Sequence, residues 1–313
     1  MQWFLVLLSL FLLFFGGDFL VRGTVGLSNK LNICKVVIST IIAGFATSMP
    51  EFVVCIQAAY KGTTDLVVGN IVGSNIANTF LILGVGWILY PKIPEIIKLK
   101  KDIIWHLIII VLFVLITFFN EINFYLSVLL FIPIGIYLYI SYKDVKNKKA
   151  NVDLDLDDVL EKSNNYKMPV FYILSGISLL IIGAKILVDN SVSIARYYNI
   201  SESVIGLSLI AVGTSIPELA TTVVASIRKE SSMIIGNVIG SNIFNVSAVL
   251  GFTGIIFPLN ISQNIILIDR WVLLISAVFL SAAVVFVNKK TLIRVTGSFF
   301  LSFYFFYMIF LFV

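Results

Sequence analysis

The sequence contains one pair of motifs twice, and this internal repeat constrains the fold more than any other feature. Residues 69–84 (GNIVGSNIANTFLILG) and 236–251 (GNVIGSNIFNVSAVLG) are identical at nine of sixteen positions. The strings TSMPE at 47–51 and TSIPE at 214–218 form a second match, and both matches are separated by 167 residues. Repeats at a fixed spacing are typical of folds built from equivalent units. The sequence therefore predicts two structurally equivalent halves.

The composition places these halves in a membrane. Hydrophobic residues make up 59% of the 313 residues and charged residues only 12%, whereas about a quarter of a soluble domain is charged. Apolar segments such as 103–119 and 271–287 have the length of membrane helices and lack the alternation of barrel strands. The first apolar run continues to Val21 without a cleavage site, which predicts a retained span. We expect an all-α integral membrane protein.

Apolar runs broken by polar residues, Gly or Pro predict ten transmembrane helices. They cover residues 2–27, 34–60, 65–90, 102–120, 123–142, 168–195, 203–227, 232–257, 268–288 and 292–312. Five helices, an odd number, separate equivalent positions, so the second half is expected to cross the membrane in the opposite direction. Inverted-topology repeats of this kind are common in secondary transporters. The predicted units are a five-helix repeat at 1–142, a linker at 143–167 and a second repeat at 168–313.

The distribution of Lys and Arg predicts the orientation. Seventeen of these residues lie in or beside one set of alternate loops, which includes the 143–167 linker, and three lie in the other set. The positive-inside rule then places the linker in the cytoplasm and both termini outside. A compact multi-pass chain of this kind is expected in the plasma membrane. Because the basic residues are topology signals in short loops, the pI of about 9.1 does not predict a nucleic-acid partner.

Glu51 and Glu218 are the most informative residues of the repeat. Each is predicted near the middle of a span, where a charged side chain costs about 2.5–3.5 kcal/mol or more. No basic residue lies in the neighbouring turns. A bound cation or a proton is the simplest compensation.

Further oxygen atoms are predicted around each Glu. Residues three and four positions before Glu share its helix face, and the members of this hydroxyl set are Thr47, Ser48, Thr214 and Ser215. Pro50 and Pro217 lack an amide proton, so each helix should kink or unwind there and free backbone carbonyls. We therefore expect carboxylate, hydroxyl and carbonyl oxygens to converge at both places.

The glycine-rich strings add amides and hydroxyls. Asn70, Ser74 and Asn78 are spaced to form one stripe on a helix, and the repeat places an equivalent stripe at Asn237, Ser241 and Asn245. The glycines of these strings permit close helix packing. We expect each stripe to face the Glu of the other half. For any single Ser, Thr or Asn, the alternative is a simple role in holding helices together.

Oxygen ligands alone favour hard cations. Two carboxylates match the charge of one Ca2+, and its six to eight ligands tolerate an irregular set better than the octahedral geometry of Mg2+ does. Neither Cys nor His accompanies these motifs, which disfavours zinc and copper. The single His106 is expected at the membrane interface and not in the site.

At these residues the sequence resembles the cation/calcium antiporter superfamily, and in particular the prokaryotic sodium/calcium exchangers. Their two repeats carry G-T-S-x-P-E and G-N-x-x-G-S-N-x-x-N/D, and the resemblance covers essentially the whole chain. It implies an antiporter, not an enzyme, in which Ca2+ lies between Glu51 and Glu218 and competes with Na+ for shared oxygens. The implied cation ligands are Glu51, Glu218, Thr47, Thr214, Ser48, Ser215, Ser74, Ser241, Asn78, Asn245, Gly44 and Ala211.

The resemblance also implies how the protein moves and what it binds. The two long helices at 2–27 and 168–195 would slide across a rigid core and expose the site alternately. Ca2+ and Na+ are the expected substrates, and the lipid bilayer is expected to surround the protein. No cofactor and no obligatory protein partner are expected.

Two positions depart from the family pattern. Asn245 stands where the family often has Asp, and Ala46 stands where it usually has Gly. The first departure leaves two acids in the centre instead of three, which reduces the negative charge available to monovalent ions. A Ca2+/H+ antiporter that uses the same two glutamates therefore stays open as the alternative. An intramembrane enzyme is disfavoured because its acid and base need different environments, and a passive channel because a pore has no need of two such half-sites.

Overall fold

The computed structural model describes residues 2–31, 33–119, 121–146, 166–198, 213–263 and 265–312. Its helices are α1 (Gln2–Leu31), α2 (Lys35–Tyr60), α3 (Thr64–Leu89), α4 (Ile96–Ile116), α5 (Phe124–Lys146), α6 (Lys167–Tyr197), α7 (Ile216–Ile227), α8 (Ser231–Ile256), α9 (Ile265–Phe286) and α10 (Lys290–Phe312). Among the described residues, nine segments are long and apolar enough to cross a membrane, and α7 is a shorter apolar helix. The beginning of the predicted seventh span, 203–212, lies outside the described residues. The prediction of an all-α membrane protein is confirmed.

The repeat is visible in the helix boundaries. The second part of α2, Met49–Tyr60, and α7, Ile216–Ile227, coincide at both ends when shifted by 167 residues. At the start of α2, Lys35 Nζ lies 3.3 Å from Oε1 of Glu230, which lies in the turn after the end of α7 at Ile227. Since α2 begins where α7 ends, these equivalent helices run in opposite directions. The predicted inverted repeat is confirmed.

The opposite end of the molecule joins a second group of loops. Strand β1 (Glu121–Ile122) pairs antiparallel with β2 (Leu259–Asn260), and the Asn260 amide donates to Thr64 Oγ1 over 3.2 Å. This two-residue pairing is a small exception to the helical fold. Loops that are predicted to lie on the same side of the membrane thus meet at one end of the protein. Which end faces the cytoplasm stays a prediction from the Lys and Arg distribution.

The two longest helices, α1 and α6, pack against each other beside the core. A side chain at Gly16 would come within 2.9 Å of the Leu180 backbone, and one at Gly183 within 3.1 Å of Leu13. These two contacts are equivalent under the repeat, and both need a glycine because the backbones approach so closely. Helix α8 lies deepest, with every residue of Ser231–Ile243 buried. The two halves therefore pack around α8 and its repeat equivalent, α3.

Candidate cation site

The first Thr-Ser-X-Pro-Glu motif interrupts a helix, and the second leads into the start of one. Helix α2 breaks at Ser48, between Gly44–Thr47 and Met49–Tyr60, and α7 begins at Ile216 after a turn at Thr214 and Ser215. The expected interruption is confirmed at Pro50, and at Pro217 the described residues show a turn that precedes the helix. Each break places a Glu in the first turn of the helix that follows, where the positive end of the helix dipole favours negative charge.

Regular α-helix is also lost in the two Asn-rich segments, which sequence reasoning did not predict. Asn78–Ile82 in α3 and Phe244–Leu250 in α8 form π-helical turns. Such turns are rare and often occur at functional sites, because they change the direction of a few side chains without ending the helix. Here they carry Asn78 and Asn245.

The two glutamates are fully buried, each with 0% of its surface exposed. Ser74 Oγ lies 3.5 Å from Glu51 Oε1. Thr214 lies beside Glu51, Thr47 lies beside Glu218, and the two carboxylates are near enough for their charges to interact. Among the described residues, no Lys or Arg forms an ion pair with either acid. Their charge therefore has no protein counter-charge in the described part of the chain.

The two threonines link each half to the polar stripe of the other. Thr47 Oγ1 lies 3.1 Å from Asn237 Oδ1 and 3.0 Å from Ser241 Oγ. The equivalent Thr214 Oγ1 lies 3.3 Å from Asn70 Oδ1 and 3.5 Å from Ser74 Oγ. These contacts bring the hydroxyl residues of both halves into one cluster.

The expectation that each stripe faces the Glu of the other half is wrong. Ser74 contacts Glu51 of its own half, and Asn237 Nδ2 donates to the Glu218 backbone oxygen of its own half over 3.3 Å. The cause is helix packing: α3 and α8 lie directly beside the acid-bearing helix that precedes each of them. Across the repeats, the stripes meet the threonines instead.

A cross-repeat pair of amide hydrogen bonds holds the centre. Asn78 Nδ2 donates to Asn242 Oδ1 over 3.1 Å, and Asn245 Nδ2 donates to Asn75 Oδ1 over 3.0 Å. The two bonds are equivalent under the repeat. Sequence reasoning missed Asn75 and Asn242 as supporting residues, although their place in both GSN strings was the available signal. Their oxygens orient the amides of Asn78 and Asn245.

His106 also belongs to this polar centre. It is 1% exposed, and its Nε2 lies 3.3 Å from Asn242 Nδ2. The expected interfacial position is therefore wrong, because the buried face of α4 carries His106 against α8. Among the described residues, His106 has no direct contact with Glu51 or Glu218.

Several buried oxygens have no hydrogen-bond partner among the described residues. In the two repeated motifs, this set contains Ser48 Oγ, Ser215 Oγ, Glu51 Oε2, both carboxylate oxygens of Glu218, Asn78 Oδ1 and Asn245 Oδ1; Thr24, Asp102, Thr221 and Thr253 carry further unpartnered oxygens. Buried polar atoms are nearly always bonded, so a concentration of exceptions needs an explanation. Every residue of this motif group has its repeat equivalent in the same group, and all of these oxygens are acceptors or can serve as acceptors. A hard cation is the partner that such a set fits.

The other predicted ligands occupy the margins of this set. Thr47, Thr214, Ser74 and Ser241 are buried and engaged in the hydroxyl cluster. Gly44 lies where α2 crosses α8, and a side chain there would come within 2.6 Å of the Gly240 backbone. Ala211 lies outside the described residues. The described residues contain no group of three or more His, Cys, Asp or Glu that could hold a metal ion, so neutral oxygens have to supply most of any cation shell.

Inverted repeats in a membrane protein, together with a buried and two-fold set of oxygens, are typical of secondary cation transporters. The model of the family described as sodium/calcium exchanger protein matches residues 1–143 and 168–313. The chain belongs to this family, whose members are ion exchangers and not enzymes.

Individual relatives agree with this assignment. The chain is 31% identical over 296 residues to sodium/calcium exchanger MaX1 of Methanosarcina acetivorans, covering 83% of this chain and 84% of the relative. It is 33% identical over 258 residues to the putative antiporter CaxA of Alkalimonas amylolytica, with 81% and 80% covered. The solved sodium-calcium exchanger NCX_Mj, soaked with 2.5 mM Na+ and 1 mM Sr2+, superimposes with a TM-score of 0.84 at 28% identity, covering 98% of this chain and 97% of that one.

Proposed function

We propose that this protein exchanges Ca2+ for Na+ across the membrane by alternating access, with Ca2+ bound between Glu51 and Glu218. The observation that carries the proposal is the two-fold set of buried oxygens without partners among the described residues. Relatives named as sodium/calcium exchangers support the choice of ions.

The charge of the site suits a divalent ion. Two ionised carboxylates balance one Ca2+, and binding this ion removes the cost of holding two like charges in a buried site. The unpartnered oxygens of Ser48, Ser215, Asn78 and Asn245 then replace water around the ion. Calcium accepts such a mixed shell because its coordination number and geometry are variable.

Coupling follows from shared ligands. Na+ is also a hard cation that prefers oxygen, so it competes for the same carboxylates and hydroxyls. Thr47 and Thr214, held by the stripe of the other half, transmit the state of one half to the other. Because an empty site would leave two like charges unbalanced inside the membrane, crossing without a cation is unfavourable, and each crossing with one ion type is tied to a return crossing with the other.

The proposed organisation keeps the sequence-based units. Two five-helix repeats, 1–142 and 168–313, are joined by a linker at 143–167. The Lys and Arg distribution supports an orientation with this linker in the cytoplasm and both termini outside, and the compact multi-pass chain supports a plasma-membrane protein. The substrates are Ca2+ and Na+, with H+ as the alternative coupling ion.

The test is 45Ca2+ uptake into proteoliposomes that contain the purified protein. An outward Na+ gradient is compared with an outward proton gradient at matched ionic strength. We expect the Na+ gradient to drive uptake. Uptake driven only by protons would replace Na+ by H+ as the coupling ion, and no uptake under either gradient would refute Ca2+ as the substrate.

A further inference from the structure

An ion cluster fastens α1 to the end of α7. Arg228 contacts Asp18 Oδ1 through both Nε and Nη2, and Arg22 Nε lies 2.8 Å from Asp18 Oδ2. Asp18 is only 6% exposed, and both of its carboxylate oxygens are engaged. We call Asp18, Arg22 and Arg228 the latch.

The latch accompanies close packing of α1 on α7. A side chain at Gly17 would come within 3.2 Å of the Ala220 backbone oxygen and 3.3 Å of Val224 Cγ2. Val224 is 2% exposed as a result. This end of the acid-bearing helix α7 is therefore covered by α1.

The equivalent end of the other half is uncovered. Among the described residues, α6 makes no comparable contact with Met49–Tyr60 of α2. Val53, the equivalent of Ala220, is 48% exposed, and Gln57, the equivalent of Val224, is also exposed. Among the described residues, the structure therefore breaks the symmetry of the repeat: α1 covers the Arg228 end, whereas α6 leaves the Lys61 end exposed.

The repeat reverses every charge of the latch except one. A shift of 167 residues relates Asp18 to Lys185, Arg22 to Asp189 and Arg228 to Lys61. Lys61 and Lys185 are exposed, and neither forms an ion pair within the described part of the chain. At the symmetry-related end, the positions equivalent to Asp18 and Arg228 are thus both occupied by lysine.

This charge pattern makes the two access states unequal. In inverted-repeat transporters, the halves exchange conformations when access alternates. If α6 packed on α2 as α1 packs on α7 here, Lys185 would approach Lys61. Asp189, in the place of Arg22, would face Lys185 from its own helix, so the contact between the two helices would still lie between two lysines, where the latch has opposite charges. We propose that the latch, together with the Lys61 and Lys185 pair, biases this exchanger toward the state closed at the Arg228 end. The inference rests on the alternating access of the proposed function but not on which ions are carried.

The test measures the minor state directly. Val224→Cys places a thiol where only opening of the Arg228 end exposes it, and its rate of labelling by a polar maleimide is measured on purified protein at fixed ion concentrations. Native Cys34 and Cys55 are buried, and protein without Val224→Cys supplies their background. We expect Asp18→Asn to raise the labelling rate about fivefold, the lower end of typical coupling effects between states.

A change at the far end separates the latch from local loosening. Lys61→Glu creates an attraction to Lys185 only in the opposite state, so it should also raise Val224→Cys labelling, although Lys61 lies at the other end of the protein. In a Lys185→Ala background, Lys61→Glu should have no effect. Faster labelling with Asp18→Asn but not with Lys61→Glu would mean local fraying and would overturn the proposal, as would no change with either.

If the Val224→Cys protein does not fold, a second reporter position is used. Gln57→Cys is exposed in the present state and becomes covered in the opposite one. Each substitution is expected to shift the equilibrium between the two states about fivefold, so Asp18→Asn and Lys61→Glu together should shift it about 25-fold. This shift should slow the labelling of Gln57→Cys, and unchanged labelling would refute the bias. Since no ion transport is measured, failure of the Na+ and Ca2+ assignment in the uptake assay leaves this test valid.

Discussion

Replacing either glutamate by glutamine isolates the role of its charge. Glu51→Gln and Glu218→Gln keep the size of the side chain and its capacity to hydrogen-bond, and they remove one negative charge each. Because both acids are buried and no described Lys or Arg pairs with them, each substitution removes half of the counter-charge proposed for Ca2+. The folded protein itself should tolerate the change, since a buried unpaired charge is costly.

The expected loss of binding is large. At an effective dielectric constant of about 20, two unit charges 4 Å apart attract by about 4 kcal/mol, so a divalent ion gains about 8 kcal/mol from one carboxylate. Dehydration of the ion and the acid offsets much of this attraction. A net loss of only about 2.8 kcal/mol still corresponds to about 100-fold weaker Ca2+ binding. We therefore expect each variant to bind Ca2+ at least about 100-fold more weakly and to transport none at concentrations that saturate the unmodified protein.

The assay is equilibrium 45Ca2+ binding to purified protein, together with the melting temperature. Asp65→Asn is the matched control, because Asp65 is an exposed acid on α3 outside the cluster, and it should leave Ca2+ affinity unchanged. Unweakened binding in a folded Glu51→Gln or Glu218→Gln protein would refute the site.

Three further substitutions test other parts of the account. Asn245→Asp supplies a third acid and should steepen the Na+ dependence of Ca2+ uptake; an unchanged dependence would mean that charge at this position does not limit coupling. Ser48→Ala should weaken cation binding about tenfold without lowering the melting temperature, because its hydroxyl has no partner among the described residues and a lost hydrogen-bond-like contact costs about 1–1.5 kcal/mol; a lower melting temperature with unchanged binding would show a structural role instead. Gly240→Ala places a methyl group 2.1 Å from the Thr40 backbone oxygen and should destabilise the protein by about 1–3 kcal/mol, whereas Gly135→Ala, which meets no described atom within 4 Å, should not; equal melting temperatures would refute the close crossing.

The fold was predictable because its signals are long and repeated. Apolar runs of membrane length located the helices, and α4 shows the usual error: its start was expected at residue 102 and lies at Ile96. The 167-residue spacing gave the inverted architecture, since an odd number of helices lies between equivalent positions. Pro50 and Pro217 located the helix breaks because a missing amide proton acts locally.

The contacts of the site were less predictable. Helical spacing put Asn70 and Ser74 on one face, but it gave no information about which neighbouring helix that face meets. The π-helical turns at Asn78–Ile82 and Phe244–Leu250 depend on tertiary packing and have no simple sequence signal. Burial of His106 was missed for a related reason: α4 extends further than the sequence indicated, so this residue lies deeper than its place near the predicted helix start implied.

The asymmetry between the halves arises where the repeat is not conserved. Identical motifs predicted equivalent sites, whereas Asp18 and Lys185 occupy equivalent positions with opposite charge. Charge pairs between α1 and α7 depend on how the long helices lie against the core, which periodicity does not encode. The structure was needed to bring Asp18 and Arg228 together.

Competition between the two ions at equilibrium tests the central claim most directly, because the claim is that Ca2+ and Na+ share one set of oxygens around Glu51 and Glu218. 45Ca2+ bound to the purified protein is measured as Na+ is raised at constant ionic strength, with choline replacing Na+ in the control. We expect Na+ to displace Ca2+ completely, and choline to leave it bound. Ca2+ that stays bound at saturating Na+ would contradict a shared site.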